Sequence, residues 1–222
     1  MDDLTIIMMT PNKVPKQWAE YHRKILMDEA GDAQFITISK EPLDWGTNLI
    51  QTEYGLTNIY RQMLRGSKIA KTKYIAIADD DTLYPREHFL FRPPDGVFAY
   101  NFNRWHILAW KTKEPYYFYK PRPGNGLMIA DRELIINALE NRLRGKNELV
   151  GYMARELGTG KYAEDFDKGT FIEFYTHHPV VSFYHQASMD VLNQRKKKVP
   201  WAVQAFDLPK WGHARDVIAK FV

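Results

Sequence analysis

The 222-residue sequence contains no cysteine. That absence excludes a disulfide framework, a thiolate zinc site and a cysteine nucleophile. It also has no run of about eighteen apolar residues, the length that a membrane-crossing helix needs. The opening residues, MDDLTIIMMT, are acidic and pass straight into a short apolar run, whereas a secretory leader begins with positive charge and carries a longer apolar stretch. A cytoplasmic protein is therefore expected. Internal repeats and low-complexity linkers are missing too, so one domain over residues 1–222 is expected. A hydrophobic content of 45% with 14% aromatics is enough for a sizeable core.

What is there begins with charge placement. The net charge of +4 is mild and demands no nucleic acid, so its distribution matters more than the total. Basic residues crowd into Arg195–Lys198 and recur as pairs at Lys111/Lys113, Lys120/Arg122 and Arg142/Arg144. Acidic residues concentrate at Asp79–Asp81 and at Glu164, Asp165 and Asp167. A carboxylate site inside a basic surface suits a metal enzyme acting on anionic substrates; an ordinary solvated surface has the same pattern.

The first half alternates strand and helix. TIIMMT (Thr5–Thr10) predicts a buried strand, Lys16–Glu29 a helix, Ala33–Ser39 a second strand and Asn48–Arg65 a second helix closed by Gly66. YIAIA then predicts a third strand. That alternation implies an α/β fold, a mostly parallel central sheet flanked by helices, with ligands beyond the carboxyl ends of the strands. The second half predicts strands at Val97–Tyr100, Ile107–Lys111, 127–130, Ile172–Tyr175 and Val180–Tyr184. Helices are expected over Arg132–Arg144 and Leu149–Leu157.

The stretch YIAIADDDTLYP (Tyr74–Pro85) carries the strongest chemical signal. Three adjacent carboxylates repel one another, which raises their pKa values unless a cation sits among them. A solvated turn is the plain alternative. The preceding apolar strand favours a divalent-metal site, and Mg²⁺ or Mn²⁺ takes such hard oxygen ligands.

GLTNIYRQMLRGSKIAKTKYIAIADDD resembles the first-half core of GT-A-fold glycosyltransferases, above all family 2. Gly55, Arg61 with Gln62, Gly66, Ala70, and Asp79 with Asp81 stand where that core has its glycines, its Arg-Asn-like pair and its Asp-x-Asp motif. Gln62 departs from the usual Asn and lengthens the amide arm. GNGLMIADRELI, AED (163–165) and the histidine of VVSFYHQ (His185) extend the resemblance through the second half. It implies a Rossmann-like sheet, a nucleotide-sugar donor and a divalent metal held by Asp81 and His185, with Asp79 reaching the metal or the ribose and Asp80 in support. It further implies Asp165 as the base of an inverting transfer, with Glu164 beside it. For His185 a buried structural histidine, and for Asp165 an exposed acidic helix start, are the competing readings. On the nucleotide side the resemblance points to Thr10, Pro11 and Asn12, with Arg61 near the diphosphate. Trp45 is a candidate to stack on the base, unless it is simply a core residue. The donor half is expected over 1–85, the acceptor half over 86–192 and a basic, aromatic tail over 193–222.

The tail and FRPPDGVFAYNFNRW resemble phage DNA-hypermodification glycosyltransferases associated with TET/JBP-type oxygenases. That resemblance implies UDP-glucose as donor and a 5-hydroxymethylpyrimidine in DNA as acceptor, in the host cytoplasm. Clustered Lys/Arg could neutralise phosphates, and Trp201, Phe206 and Trp211 could stack on an unpaired base. They could equally pack the tail onto the core. A polysaccharide or glycan acceptor, or a non-catalytic nucleic-acid-binding module, remains an alternative. So does a carboxylate-cluster nuclease. A haloacid-dehalogenase-like phosphatase is disfavoured because Thr82 follows Asp81 one residue too early for its nucleophile motif.

Overall fold

The computed structural model describes residues 1–55, 57–108, 114–144, 155–160, 166–185 and 203–221. Glu164, Asp165, Trp201, Lys111, Lys113 and the Arg195–Lys198 run lie outside the described residues.

The expected α/β architecture is what the chain forms. A seven-stranded sheet runs in the order β10-β6-β9-β4-β1-β2-β3. Its strands are β1 (Leu4–Thr10), β2 (Gln34–Ser39), β3 (Thr47–Ile50), β4 (Tyr74–Asp79), β6 (Val97–Asn101), β9 (Met128–Asp131) and β10 (Thr170–Phe174). Pairings among β3, β2, β1 and β4 are parallel, as is β6 with β10; β9 runs antiparallel between β4 and β6. The chain leaves β1 toward β2 and β3, then returns to β4 on the other side of β1. That reversal creates a crevice at the carboxyl ends of β1 and β4, where open α/β sheets bind ligands.

Every residue of β1 is buried, which requires cover on both faces of the sheet. Successive residues of a strand point to opposite faces. Ile7 meets Gly66 of α2 (Asn58–Ile69), whereas Met8 lines a cavity with Ala19 and His22 of α1 (Lys16–Ala30). The two helices therefore cover opposite faces. α2 also packs against α4 (Arg132–Leu143), whose first turn is capped by Asp131 accepting from the N–H groups of Glu133 and Leu134.

A second, five-stranded sheet runs β12-β8-β7-β11-β5. It is built from β5 (Thr82–Leu83), β7 (Arg104–Leu108), β8 (Tyr117–Tyr119), β11 (Val180–Tyr184) and β12 (Gln204–Ala205). Trp18, Leu83, Ile107, Tyr117, Val181 and Phe183 form its core with Val217 and Phe221. A short hairpin of β13 (Asp207–Leu208) and β14 (Gly212–His213) leads into α5 (Ala214–Ile218). α3 (Arg86–Leu90) follows β5 and contacts α1.

Several expectations are corrected. The helix expected over Asn48–Arg65 is strand β3, then a turn at Gly55 (φ +82°), then α2. Asn48 decides this locally: its amide donates to Thr37 and Ser39 of β2 and its oxygen accepts from the Leu43 N–H, tying the segment to the sheet edge. Gly66 does not close the helix but sits inside it. A Cβ there would lie 2.9 Å from Ile7 Cδ1, so glycine permits close helix–sheet contact. The aspartates consequently end the fourth strand in chain order, not the third. The strand expected at Ile107–Lys111 begins earlier, at Arg104. Of the helix expected over Leu149–Leu157 only residues 155–157 are described, and they are not helical.

Candidate functional site

The carboxyl ends of β1, β2 and β4 stand level, with Thr10 opposite Ser39 and Met9 opposite Asp79. Beyond them opens a cleft of about 360 Å³ lined by Thr10, Pro11, Asp79, Asp80, Asp81 and His185. The lining also includes Lys13, Lys40, Gln51, Asn58 and Gln62.

The three aspartates are held in three different ways. Asp79 donates its backbone N–H to the Tyr84 hydroxyl (2.9 Å), which in turn donates to the Gly126 carbonyl (2.7 Å). Its carboxylate rests against Gly126, where a Cβ would fall 2.1 Å from Oδ2. Asp80 turns back into the protein: the Thr10 hydroxyl donates to its Oδ2, and the Trp18 indole donates to its carbonyl (2.8 Å). Asp81 faces His185, with Oδ2 3.3 Å from Nε2, and its carbonyl accepts from the Phe183 N–H (2.8 Å), so β11 delivers the histidine to the aspartate.

Burial, then the Asp81 charge, pushes Asp79 up to about 7. The same two causes push Asp80 up to about 8, opposed by the Thr10 hydroxyl. Carboxylates so displaced crowd negative charge that a cation would relieve. Among the described residues no three His, Asp or Glu side chains converge on one point. Of the expected ligand set, Asp81 and His185 meet, while Asp79 stays against Gly126. Asp81 and His185 would supply two protein donors to a Mg²⁺ or Mn²⁺ ion, which commonly keeps several non-protein ligands.

The other candidates are distributed around this cleft. Thr10 and Pro11 line it. Asn12 (φ +55°) stands beside it and accepts from the N–H groups of Lys40 and Glu41, which fixes the ends of β1 and β2 together. Asn12 and Trp45 line a separate cavity of about 290 Å³ behind Thr10. There Trp45 is 8% exposed, contacts Phe35 edge-on, and lies under the Arg23 guanidinium. Arg61 donates to the Thr57 hydroxyl (2.9 Å); the α2 side chains that line the cleft are Asn58, Ile59 and Gln62. Lys13 and Lys40 were not singled out from sequence, although each follows the carboxyl end of a parallel strand. Position relative to the strand ends was the available signal.

Neither a family model nor a curated protein matches the chain. Similar solved structures include a glycosyltransferase involved in the glycosylation of the major capsid of PBCV-1, at 13% identity and a TM-score of 0.46 over 82% of this chain and 93% of that one. HddC from Yersinia pseudotuberculosis aligns at 10% identity and a TM-score of 0.45, over 82% and 93%. The inositol-1-phosphate CTP transferase from T. maritima aligns at 10% and 0.45, over 90% and 98%. At these identities and scores no activity transfers to this chain. Among the described residues no helix is long and apolar enough to cross a membrane.

Proposed function

We propose that this chain is a metal-dependent, inverting glycosyltransferase that moves a sugar from a nucleotide-sugar to a hydroxyl acceptor. The observation that carries the reading is the meeting of Asp81 and His185 at 3.3 Å in a cleft that also holds Asp79, Asp80, Lys13 and Lys40. Such a site combines metal donors with cations at a sheet crevice, which is the chemistry a diphosphate requires.

Asp81 and His185 would hold a Mg²⁺ or Mn²⁺ ion that acts as a Lewis acid on the departing nucleoside diphosphate. Lys13 and Lys40, at the ends of β1 and β2, attract its negative charge electrostatically. Thr10 and Pro11 bound the nucleoside end of the cleft. Asp80, held by Thr10 and Trp18, fixes the backbone on which Asp79 and Asp81 diverge. Asp165, with Glu164 adjacent, is the proposed base that takes the acceptor proton during attack at the anomeric carbon. A positioned base contributes about 10²–10⁴-fold to rate. UDP-glucose is the leading donor, and a 5-hydroxymethylpyrimidine in DNA is the leading acceptor.

The test is transfer of glucose from UDP-glucose, with Mn²⁺ or Mg²⁺, to DNA carrying 5-hydroxymethylcytosine, beside unmodified DNA and Asp81→Ala. Metal-dependent mass gain on the modified DNA alone, lost in the variant, is expected. Donor hydrolysis without transfer would retain the donor chemistry and reject the DNA acceptor. Consumption of a nucleoside triphosphate with pyrophosphate release, and no turnover of any nucleotide-sugar, would reject glycosyl transfer in favour of nucleotidyl transfer.

A further inference from the structure

The Lys120/Arg122 pair has a structural setting that the donor cleft does not use. β7, β8 and β11 are adjacent strands of the second sheet, with His106 opposite Phe118 on one side and Ser182 on the other. Around the Tyr184 side chain they gather Arg104, His106 and Lys120, and the loop after β8 adds Arg122. Lys120 donates to the Tyr184 hydroxyl and its Nζ lies 4.8 Å from the Tyr184 ring centre. Arg122 also hydrogen-bonds the Tyr184 side chain. The His106 ring lies 4.6 Å from that of Tyr184 and stacks on Phe118 at 5.4 Å.

Two features make this more than a solvated basic patch. First, Arg104 lies within electrostatic reach of Asp79 but makes no direct ion pair with a described carboxylate, and its Nε is buried without a hydrogen-bond partner. Second, His106 is fully buried and both of its ring nitrogens lack partners. Burial, followed by the charges of Arg104, Lys120 and Arg122, holds this imidazole well below its usual pKa, which places all three cations close to it. A buried guanidinium nitrogen left without an acceptor is costly. A bound anion would supply one to Arg104 Nε.

We propose that Arg104, Lys120 and Arg122, with the Tyr184 hydroxyl, form a phosphate subsite for a phosphate-bearing acceptor, beside the donor cleft, with the buried His106 ring packed behind Tyr184. Guanidinium forks match phosphate oxygens in pairs, and an ammonium adds a point charge from another direction. The chain itself couples this subsite to the cleft. Tyr184 immediately precedes His185. Gly124 lets the Arg104 guanidinium approach, since a Cβ there would lie 2.7 Å from Nη1, and Gly126 two residues later rests on Asp79. Assigning the phosphate to the acceptor, not to the donor's diphosphate, rests on the donor reading of the Asp81–His185 cleft; the subsite itself does not.

Inorganic phosphate is the probe. Its binding is followed by ³¹P NMR line broadening and by melting temperature, against chloride at matched ionic strength, with and without saturating UDP and the diamagnetic Mg²⁺. UDP affinity is measured separately by calorimetry. Phosphate is expected to bind in both conditions. Arg122→Ala, chosen because the side chain is exposed, should weaken it about tenfold or more, the loss of one charge-assisted contact. UDP affinity should be unchanged and Arg122→Lys should restore part of the phosphate binding. Arg104→Gln, checked for folding by circular dichroism, should behave like Arg122→Ala. Displacement of phosphate by UDP would overturn the proposal, because the cations would then serve the donor diphosphate. Phosphate binding that Arg122→Ala leaves untouched, or none above the chloride control, would overturn it as well. Phosphate binding with no UDP binding would sustain the subsite and remove the donor reading instead.

Discussion

The buried ion pair between Arg142 of α4 and Asp167 offers a test that reaches from stability to the proposed base. Arg142 Nε and Nη2 lie 2.5 and 2.6 Å from the two oxygens of Asp167, and the Gly158 N–H donates to the same carboxylate at 2.6 Å. Arg142 also donates to the carbonyls of Arg155 and Glu156. Arg142 is 4% exposed and Asp167 not at all. Asp167→Asn keeps the shape but strands a guanidinium in the interior, so a loss of about 3–5 kcal/mol is expected. For a chain of this length each kcal/mol lowers Tm by about 2–4 °C, which puts the fall at roughly 6–20 °C. Replacing both partners, Arg142→Met with Asp167→Leu, removes the stranded charge and should recover much of the loss. Urea denaturation of Arg142→Met, Asp167→Leu and the double variant gives the coupling energy. A coupling below about 0.5 kcal/mol would refute the reasoning, since contacts that act independently simply add. The pair also anchors the chain on both sides of Glu164 and Asp165. Asp167→Asn should therefore lower the transfer rate even at temperatures where it remains folded.

Two further outcomes are expected. Gly126→Ala places a methyl 2.1 Å from Asp79 Oδ2, so the carboxylate must move. A stability cost of about 1–3 kcal/mol is expected, with UDP binding in Mn²⁺ weakened; unchanged UDP affinity by calorimetry would show that the position of Asp79 does not matter to the donor. Burial lowers His22 to about 4 and His88 to about 3. The unfolded chain takes up these protons near the ordinary histidine value of about 6.5, while the folded chain refuses them. The stability they contribute is thus complete above about 6.5 and is lost as pH falls toward 4 and 3, at a cost on the order of 3 kcal/mol for His22 and 5 kcal/mol for His88. His22 donates from Nε2 to the Thr82 carbonyl (2.9 Å), and His22→Gln keeps a donor there without the titration. Between pH 7 and 5 the urea midpoint should shift less for the variant than for the wild type, His88 keeping its own share; an equal shift would place the acid sensitivity elsewhere.

Local pattern sufficed for much of this protein. The apolar runs of β1, β2 and β4 and the amphipathic spacing of α1 and α4 were legible because burial on one or two faces imposes a period that neighbouring residues carry. The end of an apolar strand on Asp79–Asp81 located the cleft for the same reason, since parallel strands end where ligands bind. Glycine was less legible. Gly66 read as a helix stop, yet its role depends on Ile7, nearly sixty residues away. Asn48–Ile50 read as helix because its apolar residues suit either element, and only the amide of Asn48 bonding to β2 made it a strand.

What tertiary structure decided were the pairings. Asp80 looks like its neighbours in sequence but turns inward to Thr10, whereas Asp81 turns outward to His185. Asp167, one of three acidic residues in a short stretch, is an internal counterion to Arg142. His106 carried no signal in the sequence, Arg104 stood out only as part of FRPPDGVFAYNFNRW, and Lys120 and Arg122 looked like an ordinary basic pair until β7, β8 and β11 brought them around one tyrosine. The physical reason is common to all of these. Strand and helix periods record how a residue faces the solvent, and that is a local property. Whether a charge meets an opposite charge, a like charge or none depends on which distant strands lie side by side.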